Sequence, residues 1–597
     1  MRVPRLLAVL ASLSLSANGQ TDNVCRAQDR TYSNEAMPAG SHQPYDKLNP
    51  VVGLGSRKFY VTVVNLTPHR IKLQNTHSYQ MDKFDFGDVP QGRARQNTVE
   101  YKGGWYTKDD AGEAYYNIEG TDKNFALRVK SYVPSSNPRR VMLDLSGVNL
   151  GQREYVFPGA ETSVSLVITG SNRFGFQASL RHGSGNWMRK MYDVIRDRPV
   201  RHLIMPGSHD AGMSKITNQI TSIGSEQNTQ NQAVNIYDQL RAGARWFDLR
   251  IGSVRPNDDP GRHDGFWAMH LSDEMASIAI GNTGESLDDI ISEINRFTSE
   301  NPGEIIFMPI RYLVGRYKLP DRGPIMWDAA MVNEFFSKLK GINNRCANLD
   351  TNIKFQNQKA SYFMDRNEGK GCVIPLLTGH LEGDVPRESV ADGIYDIGRI
   401  GIRDHWSNMM YADVMAPNQV ENWRSVTRGS SSDLGDLYIA QWLVTPDAVA
   451  ATAYTLQNFA IQPTNPSLYW AGVNGVDPEH WPNVLLVDYI GVQQRDQWGW
   501  DQLSAELYTL AIGMNLYMAS ENCDVNKQRS PLLRARGLAA GGEQRRGVPW
   551  NGIIFSNGTT IDHPPPTLHP GRAEMLRKGT VLGNGTVLGQ SIPNPWL

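Results

Sequence analysis

Long apolar runs, surplus charge of one sign and cysteine are all scarce in this 597-residue sequence, and each scarcity argues against a class of protein. The formal net charge is -1, from 60 Lys and Arg against 61 Asp and Glu. A nucleic acid bound through its phosphates, or strong attraction to an anionic membrane, calls for a basic surplus that this chain lacks. Beyond residue 20, no stretch is apolar for long enough to predict a transmembrane helix.

The first residues, MRVPRLLAVLASLSLSANGQ, have the pattern of a targeting segment. Arg2 and Arg5 form a basic start, and the apolar run that ends at Leu15 is too short to span a bilayer. Ala17 and Gly19 put small residues where a signal peptidase cuts. The pattern predicts a cleaved secretory signal and a secreted, extracellular protein.

Only four cysteines are present: Cys25, Cys346, Cys372 and Cys523. Four cysteines allow three pairings, and an oxidising compartment favours disulfides. We expect Cys346 to pair with Cys372, which closes a local loop, and Cys25 to pair with Cys523. No cysteine or histidine pair has zinc-ligand spacing, so the sequence predicts no metal site.

Three Asn-X-Thr triplets agree with a secretory route. They begin at Asn65, Asn557 and Asn584, and each is a potential acceptor for an N-linked glycan. Such triplets are short enough to arise by accident, so each predicts a glycoprotein only weakly. Together with the leader sequence, they favour an extracellular protein.

Between residues 57 and 170, short segments alternate apolar and polar residues. In FALRVKSYV, Phe125, Leu127 and Val129 fall on one face and Arg128 on the other. RVMLDLSGV and TSVSLVIT repeat this period of two, and Gly, Pro and Asn separate the segments. The pattern predicts an antiparallel β-sandwich-like module. It contains no catalytic constellation, and a binding or spacer role is favoured over a second enzyme.

From about residue 185, strand-like runs alternate with helical ones. SLDDIISEINRFTS has Leu287, Ile290, Ile294 and Phe297 at helical spacing, and Ser286 stands where a helix cap is expected. EIIFMPIRY, LYIAQWLVT and NVLLVDYIG are nearly continuous apolar runs, as parallel strands covered on both faces are. This alternation predicts an α/β barrel. The predicted organisation is a signal peptide (1–19), a linker (20–56), the β-sandwich-like module (57–170), the barrel (185–525) and a disordered Gly/Pro/Arg-rich tail (526–597).

Polar residues are concentrated at the ends of the predicted barrel strands, where active sites of this architecture lie. The first strand is followed by His209 and Asp210, and the second carries Asp248 and Arg250, two positions apart and so on one side. The third strand ends in His270. Two later strands bring Arg311 and Asp488 to the same edge of the sheet.

This set of side chains suits the cleavage of a phosphodiester by an internal hydroxyl without a metal ion. Two histidines can divide the proton transfers between them, and the planar guanidinium of Arg250 fits a phosphate. Carboxylates orient imidazoles and stabilise their charged forms. A single histidine on a strand is more often structural, and His263 in GRHDG competes with His270 for the second role.

Four segments carry a family resemblance. HLIMPGSHDAGM, NIYDQLRAGARWFDLRI, GFWAMHL and SLDDIISEINRFTSENPGEIIFMPIRY resemble the X-domain of phosphatidylinositol-specific phospholipase C. The similarity is greatest to its bacterial-type, metal-independent branch and to secreted fungal relatives. It covers about residues 195–315 and extends to about 520. The resemblance implies a distorted, partly open TIM-type (β/α) barrel that cleaves the bond between diacylglycerol and inositol phosphate at a membrane interface.

The resemblance also implies residue roles. His209 would be the general base for the inositol 2-hydroxyl, and His270 the general acid for the leaving oxygen. Arg250 would stabilise charge on the phosphorus oxygens, Asp210 would assist the acid and Asp488 would orient His209. At the substrate site, Arg311 is expected to contact the substrate. Asp248 is expected to hold in place the residues that contact it. The first product would be a cyclic 1,2-phosphate of inositol, formed without a cofactor.

Some features depart from the family or leave alternatives open. Arg250 stands where the calcium-dependent branch has a metal ligand, and Leu271 replaces the usual glycine after the second histidine. The substrate is therefore an inositol phospholipid, a glycosyl-inositol lipid anchor or another phosphodiester.

Trp498 and Trp500 are candidates for a lipid-facing rim, although packing outside the barrel is favoured. Two alternatives remain: an inactive barrel that binds lipid or glycan at the cell surface, and a metal-dependent phosphodiesterase of the glycerophosphodiester type, whose Glu-X-Asp pair FDLRIG lacks. The oligomeric state is open.

Overall fold

The computed structural model describes most of the chain between residues 58 and 518, and within the last eighty residues only four two-residue strands. The described ranges are 58–102, 109–130, 139–157, 163–171, 175–180, 185–220, 224–259, 261–318, 322–381, 383–446, 454–477, 479–494, 500–501 and 504–518. The predicted signal peptide and linker, Cys25, Cys523, Asn557, Asn584 and Trp498 lie outside the described residues.

The described residues between 58 and 178 lie almost entirely in strands. Its described strands are β1 (Lys58–Leu66), β2 (Ile71–Tyr79), β3 (Met81–Asp85), β4 (Arg93–Tyr101), β5 (Ala111–Ile118), β6 (Asn124–Lys130), β7 (Arg139–Leu145), β8 (Gly151–Phe157), β9 (Ser163–Ser171) and β10 (Gly175–Ala178), with one 3-10 turn at Ser146–Val148. They form two five-stranded sheets, ordered β10-β9-β1-β4-β3 and β2-β5-β6-β7-β8. Neighbouring strands are antiparallel except β1 and β9, which are parallel.

The inner strands β1 and β9 of the first sheet are buried on both faces. Val61 and Val63 of β1 pack towards the second sheet, in a core that also contains Leu127 of β6. Val64 and Leu66, which point to the opposite face, join the core of the following α/β part. The second sheet alternates buried and solvent-facing residues, as its sequence pattern indicates.

The α/β part contains a mixed sheet whose strands are mostly parallel. Its strands are β11 (Met205–Ser208), β12 (Trp246–Phe247), β13 (Leu249–Arg255), β14 (Phe266–Leu271), β15 (Gly281–Ser286), β16 (Glu304–Tyr317), β17 (Ile325–Met326), β18 (Gly371–Leu377), β19 (Tyr395–Asp396), β20 (Ile402–His405), β21 (Leu437–Gln441) and β22 (Val484–Val487). Parallel pairings join β19-β18-β16-β12-β11-β22-β21-β20 in that order. The first and last strands in chain order, β11 and β22, are therefore neighbours, and the path of parallel strands ends at β19 and β20.

Helices cover both faces of this sheet. The α-helices are α1 (Trp187–Lys190), α2 (Tyr192–Ile195), α3 (Glu226–Thr229), α4 (Ile236–Arg241), α5 (Leu287–Glu300), α6 (Ala329–Leu339), α7 (Ala360–Met364), α8 (Arg366–Gly369), α9 (Ala412–Arg424), α10 (Leu456–Phe459), α11 (Asn465–Ser467) and α12 (Glu506–Gly513). Single 3-10 turns lie at Val200–His202, Phe355–Asn357, Val390–Asp392 and Ile397–Arg399, and π-helical turns at Ala460–Thr464, Leu468–Gly472 and Met514–Met518. Short strands β23 (Gln493–Gln494), β24 (Trp500–Asp501), β25 (Ile553–Ile554), β26 (Thr560–Ile561), β27 (Met575–Leu576) and β28 (Ile592–Pro593) pair two by two.

Local sequence explains the principal elements. The side chain of Ser286 accepts a hydrogen bond from the Asp289 backbone N–H and begins α5. The apolar stripe of α5, including Ile290 and Phe297, is buried. In β16, Ile305 and Phe307 enter one core and Ile306 and Met308 the other, which explains why this part of the strand is continuously apolar.

The structure confirms one covalent prediction and contradicts another. Cys346 and Cys372 form a disulfide, with Cα atoms 5.2 Å apart, that joins the segment after α6 to β18. Asn65 is wrong as a glycan acceptor in the folded protein, because its side chain is buried. Its Nδ2 donates to the carbonyl oxygens of His69, Val89 and Pro90. A glycan on this nitrogen has no space.

The direction of one strand also differs from the prediction. GFWAMHL forms β14, but β14 runs antiparallel to both β13 and β15. A short apolar run specifies burial and not direction, and the sequence pattern therefore placed this strand wrongly among the parallel ones. His270 lies in a hairpin that leaves the parallel sheet at β13. None of the helices in the described part of the chain is long and apolar enough to cross a membrane.

Candidate active site

A cavity of about 610 Å³ contains five of the seven predicted site residues. The five that line it are His209, Arg250, His270, Arg311 and Asp488. The other two, Asp210 and Asp248, are buried and contact the lining residues from below. The structure thus brings all seven residues together, although 279 positions separate His209 from Asp488.

His209 directly follows β11 and is held by the adjacent strand β22. Its backbone N–H donates to Val487 O at 3.1 Å, and its ring Nδ1 lies 2.8 Å from Asp488 Oδ1. Gln232 donates to both His209 O and Val487 O, which ties the ends of the two strands together. Asp488 therefore orients the imidazole from the neighbouring strand.

The contacts of His209 determine its tautomer. Arg250 Nη2 lies 2.7 Å from His209 Nε2, and a guanidinium only donates, so Nε2 accepts this hydrogen bond. Nδ1 then carries the hydrogen and donates to Asp488. Burial lowers the pKa of His209, but the nearby carboxylates of Asp488 and Asp210 outweigh burial and the opposing charge of Arg250, and the net pKa is raised.

Arg250 occupies the centre of the site. Its Nε lies 2.7 Å from Asp210 Oδ1, and its Nη2 lies 3.2 Å from Asp248 Oδ2. Burial works against the charged guanidinium, but the two carboxylates more than compensate and raise its pKa well above the usual value. The positive charge is therefore permanent and held in a fixed orientation.

His270 is connected to Arg250 through Asp210 and has different partners from His209. Its Nδ1 lies 2.5 Å from Asn231 Oδ1, 3.2 Å from Thr229 O and 3.4 Å from Asp210 Oδ2. Burial lowers the pKa of His270, and Asp210 offsets this only in part because the positive charge of Arg250 opposes it. Asp210 thus bridges the guanidinium and the second imidazole.

Arg311 reaches the cavity from β16 and is paired on two sides. Its Nε lies 3.0 Å from Asp248 Oδ1, and its Nη2 lies 2.9 Å from Asp404 Oδ2. The charge of Asp248 raises the pKa of Arg311 despite burial. Gln441 Nε2 donates to the other oxygen of Asp404 at 2.6 Å. This edge of the cavity is a linked row of donors and acceptors suited to a ligand with several hydroxyl groups.

Left-handed backbone occurs at or beside three of the site residues. Asp210 has φ 42°, Tyr489, which follows Asp488, has φ 49°, and Tyr312 and Leu313 after Arg311 have φ 68° and 55°. Left-handed backbone is unfavourable for these residues. At Leu313 it coincides with a register shift between β13 and β16, a bulge that turns the chain beside Arg311.

Residue-level prediction missed some of the contacts and placed others correctly. Asn231 and Asp404 were not singled out, because neither follows an apolar strand pattern of its own. His263, the competing histidine, pairs with Glu334 at 2.9 Å and does not line this cavity. Leu271 lines the cavity beside His270 and belongs to a small apolar cluster with Tyr312.

The lining of the cavity combines ionisable and apolar side chains. Besides the ionisable groups described above, the segment after β21 supplies Leu443, Val444 and Pro446, and Tyr454 and Leu456 also line the cavity. Trp406 also lines the cavity and is 56% exposed. A ligand that fills the cavity therefore has both charged and apolar parts. Among the described residues, no group of three or more His, Cys, Asp or Glu side chains is arranged to hold a metal ion.

Sequence comparison finds relatives for part of the chain. PI-PLC X domain-containing protein 3 of Bos taurus is 27% identical over 154 residues, which is 22% of this chain and 43% of that protein. PI-PLC X domain-containing protein 1 of Homo sapiens is 24% identical over 169 residues, 25% of this chain and 48% of that protein. A PI-PLC X domain-containing protein of Dictyostelium discoideum is 33% identical over 125 residues, 18% of this chain and 19% of that protein.

The chain spans less than half the length of these curated relatives. No family model matches the chain. The sequence similarities support a relationship to the phosphatidylinositol-specific phospholipase C X-domain family for the matched part.

Solved structures of two bacterial proteins are also similar in part. Phosphatidylinositol-specific phospholipase C from Staphylococcus aureus aligns with a TM-score of 0.36 and 16% identity, over 55% of this chain and 97% of that one. The corresponding protein from Listeria monocytogenes aligns with a TM-score of 0.33 and 15% identity, over 56% of this chain and 98% of that one.

Proposed function

We propose that this chain is a phosphodiesterase that cleaves an inositol phospholipid or a glycosyl-inositol lipid anchor by histidine acid-base chemistry. One observation carries the proposal: two imidazoles and the partly buried guanidinium of Arg250 line one cavity. Arg250 lies 2.7 Å from His209, and Asp210 connects Arg250, at 2.7 Å, to His270, at 3.4 Å. Sequence similarity to PI-PLC X domain-containing proteins supports the same class of enzyme.

In the proposed reaction, His209 begins the chemistry as general base. Its Nε2 takes the proton of the inositol 2-hydroxyl, whose oxygen attacks the phosphorus atom. Asp488, 2.8 Å from Nδ1, holds the ring and stabilises the imidazolium that forms. In the free protein Arg250 occupies Nε2, so a bound phosphate must draw the guanidinium away before the base can act.

His270 then completes the cleavage as general acid. The bond from phosphorus to the diacylglycerol oxygen breaks, and the imidazolium gives its proton to that oxygen. The products are diacylglycerol and a cyclic 1,2-phosphate of inositol. Nδ1 of His270 faces Asn231 and Asp210, and this leaves Nε2 as the nitrogen that delivers the proton.

Arg250 stabilises the transition state in this proposal. Negative charge grows on the non-bridging phosphate oxygens as the bond to the attacking oxygen forms. Asp210 and Asp248 hold the guanidinium beside the reacting phosphate, so only its turn from His209 Nε2 to the phosphate oxygens is needed to place it against that charge. Fixed positive charge from the protein thus performs the role that a metal ion performs in other phosphodiesterases.

The shape of the cavity supports an amphiphilic substrate. Arg311, Asp404 and Gln441 offer donors and acceptors to the hydroxyl groups of inositol. The apolar side chains in the lining, which include Leu443 and Pro446, suit contact with the glycerolipid part of the substrate. We extend the proposal to the fold: the path of eight parallel strands that returns from β22 to β11 supports a barrel left open between β19 and β20. The leader pattern and the Cys346–Cys372 disulfide support secretion.

The test is product analysis on the purified full-length protein with phosphatidylinositol vesicles. Phosphorus NMR should detect a five-membered cyclic phosphate, and neither excess EDTA nor added Ca²⁺ should change the rate. His263→Ala is the matched control, because this histidine pairs with Glu334 away from the cavity, and it should keep full activity. Loss of activity in EDTA with recovery in Ca²⁺ would contradict the role of Arg250. Vesicle binding without any product would instead identify an inactive, lipid-binding barrel.

A further inference from the structure

Asn231 connects the two histidines through both ends of its side-chain amide. The residue lies between α3 and α4 and is 1% exposed. Its Oδ1 is 2.5 Å from His270 Nδ1, and its Nδ2 donates to Asp488 Oδ1 at 2.9 Å. That carboxylate oxygen is also the one that His209 Nδ1 contacts. A continuous chain of hydrogen bonds therefore runs from one imidazole to the other.

The backbone of Asn231 is held by the same two segments. Its N–H donates to Met213 O at 3.2 Å, in the loop that follows His209, and its C=O accepts the Tyr489 N–H at 2.8 Å, next to Asp488. Because these segments come from β11 and β22, the position of the amide is set by the strands that carry His209 and its carboxylate partner. Asn231 therefore links the position of one histidine ring to that of the other.

We propose that Asn231 is a positioning residue that fixes the tautomer of His270 and couples its protonation to that of His209. The consequence for catalysis rests on the proposed function, whereas the hydrogen-bonded coupling itself does not. Asn231 lines the cavity, but both ends of its side-chain amide are engaged by His270 and Asp488, so in this proposal it acts through the two imidazoles.

The orientation of the amide follows from its partners. A carboxylate oxygen only accepts, so Asp488 must face the Nδ2 hydrogens. Oδ1 then faces His270, and a carbonyl oxygen requires a donor, so Nδ1 of His270 carries a hydrogen in both protonation states. The catalytic proton is therefore gained and lost at Nε2. An aspartate at this position would lack the donor, and a leucine would lack both groups.

The charged groups around each imidazole define what Asn231 adds. His209 faces Asp488, Arg250 and, at 3.9 Å, Asp248. His270 faces Asp210 at 3.4 Å, and Arg250 opposes its charge. The Asn231 N–H draws electron density from the Asp488 oxygen that stabilises His209, and its Oδ1 stabilises charged His270. Removing the amide should therefore move the two pKa values in opposite directions.

NMR titration of the histidine rings tests this without reference to activity. The chain has 13 histidines, and spectra of the single His209→Ala and His270→Ala variants identify the two signals. In Asn231→Ala, the pKa of His270 should fall and that of His209 should rise, each by about one unit, the size expected for a lost hydrogen bond to a charged group. In the nearly isosteric Asn231→Asp, the added negative charge should raise both, and that of His270 more.

Gln230→Ala is the matched control, because it loosens the same loop without touching either ring. Gln230 Nε2 donates only to the backbone oxygens of Ser214 and Gln232. Neither histidine pKa should move in this variant. Equal pKa values in Asn231→Ala and Gln230→Ala would overturn the coupling. If Asn231→Ala fails to fold, Asn231→Asp decides, and unchanged titrations there also overturn it.

Kinetics provide the second readout. With inositol lipid as substrate, Asn231→Ala should lower kcat about tenfold to hundredfold with little change in KM, as loss of a residue that orients a reacting group does. Shifted titrations in a protein that never turns over inositol lipid would refute the proposed function and leave the coupling intact. A rise in KM alone would assign Asn231 to substrate binding and overturn the positioning role.

Discussion

The two histidines of the site lie in regions of different architecture, and their environments differ accordingly. His209 and Asp488 follow neighbouring parallel strands, β11 and β22, and this pair is called the base arm below. His270 lies in the antiparallel hairpin β14–β15, with Asn231 and Asp210 as partners, and this set is called the acid arm. The base arm puts a carboxylate directly on the ring, whereas the acid arm puts a neutral amide closest.

This difference separates the pKa values of two chemically identical side chains. Direct contact with Asp488 overcomes burial and raises the pKa of His209. In the acid arm, burial prevails and the pKa of His270 is lowered. In the free protein the proposed base is thus the stronger base of the two, and the proposed acid the stronger acid. At a pH between the two pKa values, neutral His209 and protonated His270 are each the less populated form, and the proposed proton transfers use these two forms.

The largest expected effect comes from removing each imidazole in turn. His209→Ala and His270→Ala should each lower kcat/KM on phosphatidylinositol by about 10²- to 10⁴-fold, the usual contribution of a general base or acid. An inositol phosphate ester with a nitrophenolate leaving group needs no protonation on departure. On that substrate, His270→Ala should recover most of its activity and His209→Ala should not.

The leaving-group experiment distinguishes the arms directly. Release of nitrophenolate is followed by absorbance for both variants and for His263→Ala, which should match the unmodified protein. Recovery of His209→Ala, or of neither variant, would mean that the two arms have been assigned to the wrong roles.

A smaller effect concerns the pH dependence of kcat/KM, which reports the free enzyme. The proposed reaction requires neutral His209 and protonated His270. With the pKa of His209 raised and that of His270 lowered, activity rises with pH up to the pKa of His270, stays level between the two values, and falls above that of His209. Asp488→Asn removes the carboxylate that raises the pKa of His209, so the alkaline limb should move to lower pH.

The acid arm supplies the contrast for this variant. Asp210→Asn removes the carboxylate that supports protonated His270, so it should mainly move the acidic limb to lower pH. The measurement is a set of kcat/KM profiles at constant ionic strength. An alkaline limb that stays in place in Asp488→Asn would show that this carboxylate does not control the base.

The smallest effect on activity is expected far from both arms, at the contact between the β-module and the α/β part. Asn474 accepts the Ala94 N–H and donates to the Ala94 C=O, each at 2.9 Å. Asn474→Ala should lower the free energy of unfolding by about 1–3 kcal/mol, the cost of leaving such groups unpaired. Urea denaturation measures this loss. Both limbs of the pH profile should stay in place, and a shift of either limb would show that the arms depend on this distant contact.

Sequence patterns predicted the base arm better than the acid arm, for a physical reason. His209 and Asp248 directly follow the buried strands β11 and β12, and Arg250 is the second residue of β13, where the side-chain direction is set by the period of two. Asp488 could be predicted from the sequence because parallel strands end at a common edge of the sheet. The direction of β14 and the place of Asn231 depend on a hairpin and on a loop, in which no periodicity links residue type to position.

The β-module shows the same limit on a larger scale. Alternation predicted strands around Leu127 and Val164, and both lie in the core between the two sheets. The second buried face of β1 has no such signal, because Val64 and Leu66 extend an apolar run whose partner lies more than 400 residues away in α12. Burial against a distant segment is a property of the assembled chain.

The contact between Leu66 and α12 has a practical consequence. At Gly513 in α12, an added Cβ would lie 2.6 Å from Leu66 Cδ1, so the backbone of this helix rests directly on the strand. A truncated chain that starts at residue 185 would lack β1. The face of α12 that contacts Leu66 would then be exposed to water, and an exposed apolar surface promotes self-association. Attempts to express the α/β part by itself should yield aggregates, and ligand screening needs the β-module and the α/β part kept in one polypeptide.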